Sequence, residues 1–229
     1  FFFNDTATTE IYTLSLTRRS SDLMIAIAAL SAGALGDEIS FAADSMSGSM
    51  RRGEGRVSLV GRAWVRAGAV TIRAERIALW GEDYRYVECS GAVTASDEGR
   101  GLSLAAVSLY YDRRLKLMRL SGDASIEDAK NETVVKAQFI EYDDQKDLAL
   151  AQIGARILKG EIAARAEFVR FDRAAETLEL SGQPYVRRGA DEYRARRISV
   201  KLDTEAIRLE GAVSGTVLDR GGSGEGGGR

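Results

Sequence analysis

Glycine recurs through this chain on a beat of about thirty residues, at Gly61, Gly91, Gly122, Gly154, Gly182 and Gly211, with intervals of 30, 31, 32, 28 and 29. A fixed period of this length marks repeated supersecondary units, none of which can bury its apolar face alone. Two and four places either side of each glycine the residues are mostly apolar, the period-two signature of a half-buried strand. Val57, Leu59, Ala63 and Val65 flank Gly61; Val87, Cys89, Val93 and Ala95 flank Gly91; Met118, Leu120, Ala124 and Ile126 flank Gly122. Later copies give Leu178, Leu180, Pro184 and Val186, then Ile207, Leu209 and Val213.

A second box, Ala-x-x-apolar-x-apolar, lies between the glycines: Ala74, Ile77, Leu79; Ala106, Leu109, Tyr111; Ala137, Ile140, Tyr142; Ala166, Val169, Phe171; Ala195, Ile198, Val200. Upstream of each alanine the apolar residues keep its parity, as Val70 and Ile72 or Leu102 and Leu104 do, and downstream the parity switches. A one-residue slip turns every side chain over, so a bulge or sharp bend just after each alanine is needed to keep both halves facing inward. An earlier copy, Ile39, Phe41, Ala43 and Met46, starts the series. Between the boxes fall turn clusters such as Glu98-Gly99-Arg100-Gly101, Asp112-Arg113-Arg114 and Asp143-Asp144-Gln145-Lys146. Two long strands per unit give roughly a dozen antiparallel strands, an all-β chain with no long 3.6-residue apolar stripe.

The ends of the chain do not share this pattern. Residues 1–23 resemble the translation of a sequencing adapter and are set aside as an artefact. Met24 to Gly36 is a short uncharged apolar run that ends in small residues, as an export signal does; a lone buried helix is the alternative. Residues 37–219 hold the repeats, and 220–229 have flexible glycine-rich linker composition. Composition removes whole classes of function. There is no histidine and a single cysteine, so histidine triads, zinc clusters and disulfide scaffolds are out. With 32 Lys and Arg against 34 Asp and Glu, net charge -2, nothing favours nucleic acid or an anionic membrane surface.

The runs Ile39-Ser-Phe-Ala-Ala-Asp-Ser-Met-Ser-Gly-Ser-Met50, Val57-Ser-Leu-Val-Gly-Arg-Ala-Trp-Val65 and Val70-Thr-Ile-Arg-Ala-Glu-Arg-Ile77 resemble the OstA-like family of LptA-type lipopolysaccharide-transport proteins. The likeness runs from about Asp37 to Val217 and rests on the sixfold recurrence of short motifs. It implies an open, twisted β-jellyroll in the periplasm, whose interior holds acyl chains and whose end strands pair with related jellyroll domains of inner- and outer-membrane partners. It implies lipopolysaccharide or a similar glycolipid as ligand, with no cofactor, no metal and no catalysis. Head-to-tail self-assembly is a further implication.

Exposing a saturated chain to water costs about 0.8 kcal/mol per methylene, so transport across an aqueous space needs a continuous apolar trough. The inward rows supply candidates for its lining: Val57, Leu59, Ala63, Val65, Ile72, Val87, Val93, Leu104, Met118, Leu120, Ala124, Ile126, Leu178, Leu180, Val186, Ile207, Leu209 and Val213. Glycine and alanine at strand centres would omit bulk where a chain lies. The same rows equally describe a filled sandwich core. Edge strands are expected near Ile39, Phe41 and Ala43 at one end and Leu209 and Val213 at the other. In the fourth copy Gln152 and Arg156 take the parity of Gly154, which reads as a local register change or as a polar contact to a head group. Pro184 marks an edge or a bulge. Asp143 with Asp144, and Asp191 with Glu192, read as turn residues, Cys89 as a small buried hydrophobe, and Trp64 and Trp80 as core or rim packing. A ligand-free structural β-solenoid is the competing function.

Overall fold

The structure, a computed structural model, describes residues 39–48, 55–172, 174–202, 204 and 206–218. The adapter-like segment, the export-signal segment and the glycine-rich tail lie outside these residues. Among the described residues sixteen strands form one antiparallel sheet: β1 (Ile39–Ala42), β2 (Ser45–Ser47), β3 (Val57–Ala67), β4 (Val70–Trp80), β5 (Tyr86–Asp97), β6 (Leu102–Asp112), β7 (Leu117–Asp128) and β8 (Thr133–Asp143). They continue as β9 (Leu148–Lys159), β10 (Ile162–Asp172), β11 (Thr177–Ser181), β12 (Tyr185–Arg188), β13 (Asp191–Arg194), β14 (Arg197–Lys201), β15 (Ile207–Glu210) and β16 (Ser214–Thr216). Every strand pairing is antiparallel, which excludes the parallel coil of a solenoid.

Each continuous strand from β3 to β10 is broken in register at its centre, where the boxes meet. Between β3 and β4, Val60 pairs Arg76 and Ala63 pairs Ala74, so Gly61 and Arg62 stand opposite Glu75 alone: a β-bulge. The same two-against-one step recurs at Gly91-Ala92 facing Val107 and at Gly122-Asp123 facing Gln138. At the ends of the sheet the break is complete, and the short strands are halves of long ones. β1 and β2 both pair β3, β11 and β12 both pair β10, β13 and β14 are the two halves of the next strand, and β15 and β16 of the last. Eight continuous strands and four broken ones therefore make twelve, in an open jellyroll whose first and last strands do not meet.

The line of bulges divides the sheet into two facing walls. One wall carries Ala63, Val65, Ile72, Val93, Leu104, Ala124 and Ile126 on its inner side; the other carries Leu59, Ile77, Val87, Cys89, Leu109, Met118 and Leu120, and both rows join one core. Met118, Leu120 and Cys89 are fully buried.

The fourth copy resolves as a register change. Its bulge pair is Ile153-Gly154, with glycine second instead of first, both at positive φ. The inward row is consequently Ala149, Ala151, Ala155 and Ile157; Arg156 and Ile153 face out. Pro184 sits at the break between β11 and β12, where no ladder bond is asked of it. Asp191 and Glu192, expected in a turn, instead open β13, because the preceding turn is only Gly189-Ala190.

Candidate functional site

The glycines do not open room for a ligand, as the sequence suggests. At every repeat glycine but Gly154, which has nothing within 4 Å, the missing side chain is replaced on the bulge by the residue that follows the alanine on the preceding strand: a Cβ on Gly61 would fall 2.8 Å from Asp44 Cβ, and one on Gly122 would fall 2.7 Å from Val107 Cβ. Space opens elsewhere. The inward rows of β9 and β10 carry Ala149, Ala151 and Ala164 at the positions where β7 places Met118 and Leu120 and β8 places Val135, beside Ala155 and Ala166, which answer to Ala124 and Ala137. Two walls held at their usual separation by bulky neighbours cannot close over such short side chains.

A cavity of about 80 Å³ lies there, bounded on one wall by Val135, Ile157, Ile162, Ala164 and Val186 and on the other by Ile140, Ala149, Ala151, Val169, Phe171, Leu178 and Val200. It is apolar except for Thr133 and Lys159 at its border. It continues into a wider open cleft of about 430 Å³ between the strand ends, lined by Asn131, Glu132, Lys159, Glu161, Arg188, Tyr193 and Lys201 among others.

Of the residues the sequence marks as candidate lining, Leu178 and Val186 border this cavity. Leu59, Ala63, Ile72, Val87, Val93, Leu104, Met118, Leu120, Ala124, Ile126 and Leu180 are buried against one another in the closed part of the core. Val57, Val65 and Leu209 are half-buried, while Ile207 and Val213 are exposed on the last strand. Phe41 is exposed on the first strand, and Ala43 packs against the core at the break between β1 and β2. The β9 row, Ala149, Ala151 and Ala155, is hidden in the sequence because the displaced glycine at 154 shifts its parity.

Polar groups elsewhere serve the turns. Asp112 ends β6 and accepts from Arg85 Nε at 2.9 Å, from Arg85 Nη2 at 2.6 Å and from the backbone N–H groups of Arg114 and Leu115. The Arg85 guanidinium, foremost, holds its carboxyl below the usual range against the opposing effect of burial. Cys89 is inert: burial pushes its thiol up to about 12, far from a reactive thiolate. On the outer face Trp80, Tyr86 and Tyr110 cluster with ring centroids 5.6 to 6.4 Å apart, and Arg56 lies over Trp80. Among the described residues no three metal-ligating side chains converge.

No protein-family model and no curated protein matches the chain. Among solved structures it is similar to the crystal structure of LptH, the LptA-homologous periplasmic component of the lipopolysaccharide transport device of Pseudomonas aeruginosa, at 10% identity and a TM-score of 0.25, covering 79% of this chain and 95% of that one. A likeness this distant adds nothing to the architecture, which the strand registers define.

Proposed function

We propose that this chain shields the acyl chains of lipopolysaccharide, or of a related glycolipid, in its two-walled trough and passes them across the periplasm between the inner and outer membranes. The observation that carries this reading is the apolar cavity at the alanine rows of β9 and β10, open at the strand ends. A protein with no apolar ligand gains nothing by leaving paired walls unfilled, since each missing contact costs packing energy. The resemblance of the repeats to the OstA-like family supplies the glycolipid and the compartment.

The test is native mass spectrometry of protein purified from the periplasm of a lipopolysaccharide-producing bacterium, wild type beside Ala151→Phe/Ala164→Phe. Wild type should retain amphiphile and the filled variant should lose most of it, with circular dichroism showing both folded. Wild type free of amphiphile, or equal retention by both, would overturn the assignment.

A further inference from the structure

The inner row of one wall ends, on each successive hairpin, at a rim position where strand meets turn. In β5 and β7 that position holds Asp97 and Asp128, both buried, whose carboxylates cap four-residue turns by accepting from Arg100 N at 3.0 Å and from Lys130 N at 2.9 Å. In β9 and β12 the same position holds Lys159 and Arg188. Their turns, Gly160-Glu161 and Gly189-Ala190, have two residues with glycine at positive φ and need no carboxylate cap. The rim therefore changes from acid to base where the walls part over the cavity.

The two cations are placed as a pair. Ile162 of β10 registers with Lys159 on one side and Arg188 on the other, so the cationic residues stand two strand spacings apart, about 10 Å, on one row. Half-buried Lys159 borders both the apolar cavity and the open cleft, and Arg188 borders the cleft. Lys201, which donates to Ala175 O at 3.2 Å, reaches the cleft from the opposite wall. Glu132 and Glu161 line it as well, leaving three cations against two carboxylates.

An amphiphile whose chain fills the cavity must leave its polar end where the apolar lining stops, and that exit is cationic. We propose that Lys159 and Arg188 bind the anionic head group, phosphate or carboxylate, of an amphiphile whose chain occupies the adjoining cavity; this rests on the carrier reading above. Lysine lays its stem along the apolar wall with its ammonium in the cleft, and arginine offers paired donors to an oxyanion.

Isothermal titration of the full chain with dodecyl phosphate, uncharged dodecyl maltoside and inorganic phosphate, all below micelle-forming concentrations, tests this. Wild type should bind dodecyl phosphate about tenfold tighter than the maltoside, a preference that shrinks with added salt. Lys159→Gln/Arg188→Gln should erase the preference, weakening dodecyl phosphate about tenfold more than the maltoside. Equal affinities in wild type would overturn the head-group site and leave the carrier intact, whereas binding of neither chain would remove both. Inorganic phosphate binding as tightly as dodecyl phosphate would show an anion site independent of the cavity and likewise overturn the inference. Should the double variant fail to fold, the wild-type preference and its salt dependence decide.

Discussion

At Gly91 the backbone φ is +81°, and a Cβ there would run into Glu75 Oε2 and fall 2.7 Å from Glu75 Cβ. Both the backbone conformation and the neighbour across the bulge refuse a side chain. Gly160, in the turn after β9, shares the positive φ at +53° but has nothing within 4 Å of the added carbon. The pair separates conformational strain from steric exclusion. Gly160→Ala should cost about 1 kcal/mol, the left-handed penalty alone. Gly91→Ala should cost at least about 2 kcal/mol, since the Glu75 stem must also move. Urea unfolding of the two variants measures the difference; equal costs would mean that the glycine beat serves the backbone conformation and not the close approach across the bulge.

The element is a long strand bent at its bulge, and its faces alternate on both arms. In β7, Leu120 is fully buried between Ile140 and Leu109, while its neighbour Arg119 points outward and donates Nε to Glu141 at 2.7 Å. Leu120→Asp should cost more than about 4 kcal/mol and leave little folded protein, because the carboxylate would have no partner in an apolar core. Arg119→Asp should cost about 1 kcal/mol, the loss of a surface pair plus repulsion from Glu141. Thermal melts monitored by circular dichroism distinguish them. This alternation, the dozen strands and the bend after each alanine were legible in the sequence, because period two and its parity switch are written in single residues such as Ala74 and Ile77. The trough was not. Whether Leu120 touches a ligand or the opposite wall depends on the separation of the walls, which follows from volumes summed over strands far apart in the chain. In the fourth copy the shift from Gly-x to Ile153-Gly154 also concealed that Ala149, Ala151 and Ala155 form the inward row.

For the whole molecule the unfinished feature is the pair of free edges. The sheet starts with an alanine-box strand, β1 and β2 broken at Ala43-Asp44, and ends with a glycine-box strand, β15 and β16 broken at Gly211-Ala212. Within the chain the two kinds alternate without exception, and so do strand directions, so the start of a second copy could follow the end of the first in phase, antiparallel, wall against wall. Phe41 and Met46 at one end and Ile207 and Val213 at the other are exposed where no further strand among the described residues covers them. Joined this way, the troughs become continuous and the contact repeats without closing. Lys201 N–H donates to Ala206 O, and antiparallel bonds alternate along a pair, so Ser199–Arg208 is a bonded pair and the Leu209 N–H is directed away from β14 to the free edge. Leu209→Pro therefore removes a donor that β14 does not use and that edge pairing between copies would need. Light scattering after size exclusion, over a concentration series, should show wild type as a ladder of oligomers and Leu209→Pro as short species with an unchanged circular dichroism spectrum. A wild type that stays monomeric at the highest concentration, and crosslinks to no related jellyroll domain, would exclude the bridge and leave a carrier that works as single molecules, because edge pairing is the step that lets a chain pass between troughs without re-entering water.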